Sequence, residues 1–281
     1  MCLRDLFPNW FAKPDPPPLP PPVEGTNKTA LLYAINDYKG TANDLRGCLN
    51  DQRDIAYKLN ELWPNEFTIK KFSDSQATVA CYKTEVENAI AQLSPGAVVI
   101  VIADSCFSGT ITRGYNPHPI KNRFLPNPDL PVRKKVRKKF AKSNGGSVQW
   151  LTLAMCQENQ TSADAYIDGE YHGAGTYYTF LKALKKGMTY REWEQEIQRY
   201  LPNYNMGFDQ APYLEGADSL ADRVVGEGEM LIIANSSHGT QVYDIHGDEE
   251  FDEYDEAICL YDDNILDDQI NVLLQKIPVL T

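Results

Sequence analysis

Residues 98–110, VVIVIADSCFSGT, run six apolar residues into an acid and then a cysteine, Cys106. The end of a buried strand is a rigid mount for a reactive group. A free thiol has a pKa of about 8.5, so only a few per cent is thiolate at neutral pH. A neighbouring imidazole raises that fraction and can later protonate a leaving amine. No histidine stands upstream of Cys106, but MLIIANSSHGT repeats the same grammar downstream: apolar strand, short polar turn, then His238 and a glycine. Gly109 and Gly239, beside the two residues, let a substrate backbone approach. They also let the amides near Cys106 and Gly239 point at a developing oxyanion. This is the equipment of acyl transfer by a cysteine nucleophile. The other histidines read as solvated: His118 in a proline-rich loop, His172 in a glycine-rich turn, His246 in an acidic loop.

The elements that must position these groups alternate. KTALLYAIND reads as a strand, and DLRGCLNDQRDIAYKLNELW carries Leu45, Leu49, Ile55, Leu59 and Leu62 at helical spacing. EFTIKKFSD is a second strand, TVACYKTEVENAIAQL a second helix, and residues 98–103 the cysteine strand. After a break at 111–147, rich in proline and basic residues, come the strand QWLTLAMC, a turn QENQTSAD and the helices TYYTFLKALKKG and TYREWEQEIQRYL. MLIIA is a late strand, followed by an acid-rich loop, a short strand AICLY and the helix LDDQINVLLQKI. The pattern predicts an α/β fold with a mostly parallel central sheet covered by helices on both faces. Three strand ends then share the rim where such sheets bind ligands.

The 281 residues suffice for a full core in one domain over 28–279, behind a proline-rich leader at 1–27 containing PDPPPLPPP. That extended leader reads as a spacer, with a proline-reading domain as the alternative partner. The net charge of −12 argues against nucleic acid as the general partner and suits cations or basic peptides. No stretch approaches the roughly 20 apolar residues of a membrane span, and the N-terminus lacks a signal-peptide pattern. Six scattered cysteines without CxxC pairs read as free thiols in a reducing compartment, hence a cytoplasmic protein without a zinc site.

ALLYAINDY, LRGCLNDQRDI, DSCFSG, SSHGTQ and CQENQTSADA together resemble the metacaspases, caspase-like cysteine peptidases of clan CD, family C14. The likeness spans roughly residues 28–279. In that family the histidine strand precedes the cysteine strand. Here residues 230–279 look lifted out from between Gly96 and Ala97 and attached at the end, a segment transposition. The resemblance implies a caspase-haemoglobinase-like fold with rearranged strand order. It implies Cys106 as nucleophile, His238 as general acid/base, and an acid-lined pocket for arginine or lysine matched by Asp51, Asp104 and Ser236. A carboxylate pair suits a guanidinium physically.

The resemblance also implies calcium, with Asp255, Asp267 and Asp268 at the ligand positions; a further ligand position is Arg113 here. Asp267 and Asp268 could instead serve the N-terminus of the following helix. Finally, it implies self-processing in the 111–147 linker, where Arg133, Lys134, Lys135, Arg137, Lys138, Lys139 and Lys142 are substrate-like for an acidic pocket. The function expected is a calcium-stimulated endopeptidase cutting after arginine or lysine. The alternatives are a catalytically silent scaffold and a calcium-responsive binding module on the acidic loop.

Overall fold

A computed structural model describes residues 27–106, 120–128, 150–157, 160–216, 218–243 and 254–279. The proline run, most of the 111–147 linker with all seven basic candidates, His118, Arg113 and His246 lie outside the described residues.

The expected alternation is present. Strand β1 (Lys28–Ala34), helix α1 (Cys48–Leu62), β2 (Phe67–Ser73), α2 (Val79–Ile90) and β3 (Val98–Asp104) follow in order. Next come β4 (Lys121–Asn122), β5 (Trp150–Ala154), β6 (Ala163–Ile167) and β7 (Glu170–Gly173). Helix α3 starts at Ala174–Thr176 and continues with wider turns through Tyr177–Ala183; α4 is Tyr190–Ile197. Strand β8 (Tyr213–Gly216), the short helix α5 (Asp218–Ala221), β9 (Met230–Ser236), β10 (Gly239–Tyr243), β11 (Tyr254–Cys259), β12 (Asn264–Leu266) and α6 (Asp267–Leu274) complete the set.

The central sheet has six strands in the order β2-β1-β9-β3-β5-β8. All pairings are parallel except β5 with β8 at the edge. Strand β9, late in the chain, therefore lies between β1 and β3. Every residue of β3 and β9 is buried, as continuous apolar runs in the middle of a covered sheet require. Alternation divides their side chains between two cores. Val99, Val101, Leu231 and Ile233 pack with Tyr82, Val86 and Ile90 of α2 and with Ile270 and Leu273 of α6. Ile100, Ile102 and Ile232 face Ile55 and Leu59 of α1, Phe180 of α3 and Trp193 of α4. Fully burying each such side chain is worth ~1.5–3 kcal/mol. The sheet is thus fastened on both faces along its middle strands.

Three local expectations need correction. Helix α1 begins at Cys48 rather than near Asp44, because the Arg46 and Gly47 amides donate to the Asp164 carboxylate instead of entering helical bonds. The stretch read as a turn, QENQTSAD, runs at its end into β6. That strand forms a hairpin with β7 through Asp168 and Gly169, both at positive φ. The strand read as AICLY starts earlier, at Tyr254. No helix among the described residues is long and apolar enough to cross a membrane.

Candidate functional site

The site is assembled where β1, β9 and β3 end. The β3/β9 ladder runs in register to Asp104 opposite Ser236. Two residues further along each chain come Cys106 and His238, which therefore leave neighbouring strand ends. The backbone fixes their proximity independently. The Cys106 amide donates to the carbonyl oxygen of Arg123 at 3.0 Å, and the Gly239 amide donates to the same oxygen at 2.9 Å. Those two amides are the pair expected to hold an oxyanion, and both converge on one peptide carbonyl of the chain itself.

The rest of Arg123 fills the expected pocket. Its Nη2 donates to Asp51 Oδ2 at 2.7 Å and to Asp164 Oδ1 at 3.1 Å. Nη1 reaches Ser236 Oγ at 2.8 Å and lies 3.1 Å from Asp104 Oδ2. Asp51, Asp104 and Ser236, far apart in sequence, thus surround one guanidinium. Ser236 Oγ also donates to Asp51 Oδ2 at 2.7 Å. Asp104 is fixed in turn by the Thr176 amide and hydroxyl, both at 2.7 Å, and by Ser162 Oγ. The Gly173 amide donates to Asp51. A Cβ at Gly173 would overlap Asp104 Oδ2 and Arg123 Nη1, so only glycine lets the backbone come this close. Arg123, Asp51, Asp104 and Asp164 are all fully or almost fully buried. Burial opposes the charge on Arg123, but the three carboxylates outweigh it and push its pKa above the ordinary guanidinium value. Burial raises the Asp51 carboxyl, with Arg123 opposing.

The backbone around Arg123 is held as an extended peptide. Lys121–Asn122 pairs antiparallel with β6, and the Arg123 amide donates to the Ser162 carbonyl at 3.0 Å. Beyond the carbonyl, the Leu125 amide donates to the Gly239 carbonyl at 2.9 Å, and Thr240 Oγ1 donates to the Leu125 carbonyl at 2.6 Å.

The Cys106 and His238 side chains each have a different partner. Cys106 Sγ donates to the Ser162 carbonyl at 3.3 Å and accepts from the Ser162 amide. Burial pushes its pKa well above the ordinary thiol value, with the neighbouring Cys156 adding to the rise. His238 Nε2 lies 2.7 Å from the Asn43 carbonyl, which can only accept, so Nε2 carries the proton and Nδ1 is the basic atom. Nδ1 is buried and has no hydrogen-bond partner among the described residues. Burial lowers the His238 pKa to about 4, with the Asn43 carbonyl opposing and Arg123 contributing to the fall. The resting pair is accordingly a thiol and a neutral imidazole.

Sequence reasoning missed Arg123, which lies in the stretch read as a proline-rich break, and Asp164, which sits in the quoted motif QTSADA without an assigned role. It also misplaced His172. That residue is 2 % exposed on β7, with Nδ1 3.6 Å from Asp51 Oδ1 and 3.5 Å from Asp54 Oδ2. The alternation of the hairpin turns it inward, where glycine neighbours had suggested a solvated turn.

Asp54, Glu170 and His172 offer ligand atoms within 4.8 Å of one another, an arrangement able to hold a metal ion. Arg53 already bridges the two acids, at 2.8 Å to Asp54 and 2.5 Å to Glu170. The three residues expected to bind calcium lie elsewhere, around the small sheet β10-β11-β12. Asp255 on β11 is fully buried, and Asp267 opens α6 at 8 % exposure with Asp268 beside it.

No family model matches the chain, and no curated protein does. Among solved structures, protein GSU0716 from Geobacter sulfurreducens is similar at 16% identity and a TM-score of 0.45, covering 70% of this chain and 97% of that one. A likeness that remote carries no functional information.

Proposed function

We propose that the chain is a cysteine endopeptidase that cuts after arginine or lysine, a metacaspase-like enzyme whose histidine-bearing segment has been transposed to follow the rest of the domain. One observation carries this reading: a single peptide unit has its carbonyl between the Cys106 and Gly239 amides while its arginine side chain lies among Asp51, Asp104, Asp164 and Ser236. Those are the contacts a peptidase of this specificity must make with the residue before the scissile bond. The position of β9 between β1 and β3 supports the transposition reading, because it gives the late segment the neighbours it would have in the family order.

In the reaction, the Cys106 thiol passes its proton to His238 Nδ1 and the thiolate attacks the carbonyl carbon. The Cys106 and Gly239 amides hold the oxyanion. The imidazolium then protonates the departing amine, and water, deprotonated by the same imidazole, hydrolyses the thioester. At rest the raised thiol pKa and the depressed imidazole pKa both oppose that first proton transfer.

Asp255, Asp267 and Asp268, the calcium positions the resemblance implies, are hard oxygen donors, but among the described residues these three do not bring their ligand atoms close enough together to share an ion. Among the described residues, Asp54, Glu170 and His172 are the trio whose ligand atoms lie close enough to share an ion, with Arg53 already paired to its two acids.

One observation favours a second reading. The guanidinium of Arg123 satisfies the pocket from within, as a catalytically silent scaffold would require. Fluorogenic peptides ending in arginine or aspartate, offered with and without calcium, separate the two. Turnover of the arginyl peptide, lost in Cys106→Ala, is expected; no turnover of any peptide in either condition removes the peptidase reading.

A further inference from the structure

Helix α1 and the hairpin strand β7 meet at a second polar cluster that the reaction above does not use. Asp51 and Asp54 stand three residues apart on α1 and share a face of the helix. Glu170 and His172 stand two apart on β7 and share a face of the strand. Asp51 belongs to the pocket, where it accepts from Arg123, the Ser236 hydroxyl and the Gly173 amide. Asp54 and Glu170 keep 16% and 15% of their side-chain exposure, so solvent reaches both. His172 beside them is buried, its ring against that of Tyr177 with centroids 5.2 Å apart.

Arg53 serves only two members of this cluster. It donates to Asp54 Oδ1 at 2.8 Å and to Glu170 Oε2 at 2.5 Å. His172 Nδ1 is buried and has no hydrogen-bond partner among the described residues. The carboxylate oxygens it faces, Asp54 Oδ2 and Asp51 Oδ1, are 3.5 and 3.6 Å away, longer than such a bond. A buried nitrogen ordinarily finds a partner. Four-coordinate zinc, with bonds of about 2.0–2.1 Å, holds its ligand atoms about 3.3–3.4 Å apart, close to the Asp54–His172 spacing. Glu170 Oε2 is 3.9 Å from His172 Nε2, and one ligand atom from each of the three residues lies within 4.8 Å of the others. A small shift of the Glu170 side chain completes the set. One dication would then satisfy both acids and the imidazole together, which the guanidinium does not.

We propose that Asp54, Glu170 and His172 bind a transition-metal dication, zinc foremost, that Arg53 swings out to admit it, and that the bound ion clamps the β6–β7 hairpin to α1. An imidazole with two carboxylates is a nitrogen–oxygen donor set that zinc accepts and that calcium and magnesium do not favour. Water takes the fourth position. The scattered cysteines argue against a thiolate zinc site, and this one contains no sulfur. The two acids match the charge of the ion, so Arg53 is no longer needed there. Its side chain is 24% exposed, and ion pairs near water are cheap to exchange. None of the three ligands takes part in the proposed cleavage, so the site stands whether or not any peptide is cut.

The experiment titrates cobalt(II), a coloured stand-in for zinc, into the metal-free full-length chain in excess magnesium, and then displaces it with zinc to obtain the zinc affinity. The expected result is one equivalent of visible cobalt absorption without a thiolate-to-cobalt charge-transfer band, reversed by zinc. Glu170→Gln and His172→Ala should each weaken zinc binding at least about tenfold, the lower end of what losing a mere hydrogen-bond partner of a ligand costs. Arg53→Met should act in the opposite direction and tighten binding about two- to fivefold, because the ion no longer displaces a pair of contacts near water. Should His172→Ala fail to fold, Glu170→Gln decides, since that side chain is partly exposed. No cobalt spectrum from the wild type or from Arg53→Met would overturn the proposal. So would a spectrum carrying a thiolate band, a zinc affinity that Glu170→Gln leaves unchanged, or one that Arg53→Met weakens.

Discussion

Two arginines stand on either side of the wall formed by Asp51 and His172, and they are treated differently. Arg123 is wholly buried and meets three carboxylates, a serine hydroxyl and a backbone carbonyl. Arg53 retains 24% of its side-chain exposure and meets two acids, Asp54 and Glu170, that are also partly exposed. Near water an ion pair costs little to break, because solvent replaces the partner. In the interior an arginine's charge needs partners, and so does each carboxylate's; both terminal nitrogens of Arg123 have them, while its Nε has none among the described residues. The buried cluster is therefore all or nothing, whereas the outer one is adjustable. A site that must hold a guanidinium selectively needs the first kind.

That contrast is open to attack by substitution. Arg123→Gln leaves three buried carboxylates without their cation and should lower unfolding free energy by about 3–5 kcal/mol in urea denaturation. A loss below about 1 kcal/mol would mean the carboxylates are not committed to it. A pH titration tests the same interior next door. His238 has a folded pKa of about 4 against an ordinary 6.5, so the unfolded chain takes up the proton first as pH falls. Stability contributed by the neutral ring is complete above pH 6.5 and is lost toward pH 4, by about 3 kcal/mol. Asp51, with its raised pKa, acts in the opposite sense. The measurement is therefore the difference between wild type and His238→Gln, which should shrink steadily over that window.

Gly173→Ala should cost about 1–3 kcal/mol by overpacking against Asp104 and Arg123. Gly169→Ala, in the hairpin turn with open space around it, should cost only the roughly 1 kcal/mol of its positive φ. Equal losses would deny that the cradle is tightly packed. Smallest of all, Arg53→Met should change stability by about 1 kcal/mol or less, and salt should erase the difference.

The apolar runs made the central sheet legible, since VVIVIAD and MLIIANS admit few readings other than buried strands. Cys106 and His238 were legible from their place after those runs, and Asp51, Asp104 and Ser236 through their motifs. Arg123 was not, because nothing local distinguishes a buried arginine from the exposed basic residues near it; only three acids from three distant segments define its role. The β6–β7 hairpin was recoverable. Asp168–Gly169 between YI and EY is a two-residue turn signal, and reading it would have given His172 an inward face. The late start of α1 at Cys48 was out of reach, since it depends on Asp164, more than a hundred residues away.

The placement of β9 governs assembly as well as architecture. In chain order β1 and β3 come before β9, which fills the place between them. Neither the Gly239 amide nor the imidazole exists until the ribosome has passed residue 239. Such long-range closure is intrinsically slow. A chain that stops before residue 230 thus holds Cys106 without His238 and lacks the strand that joins β1 to β3.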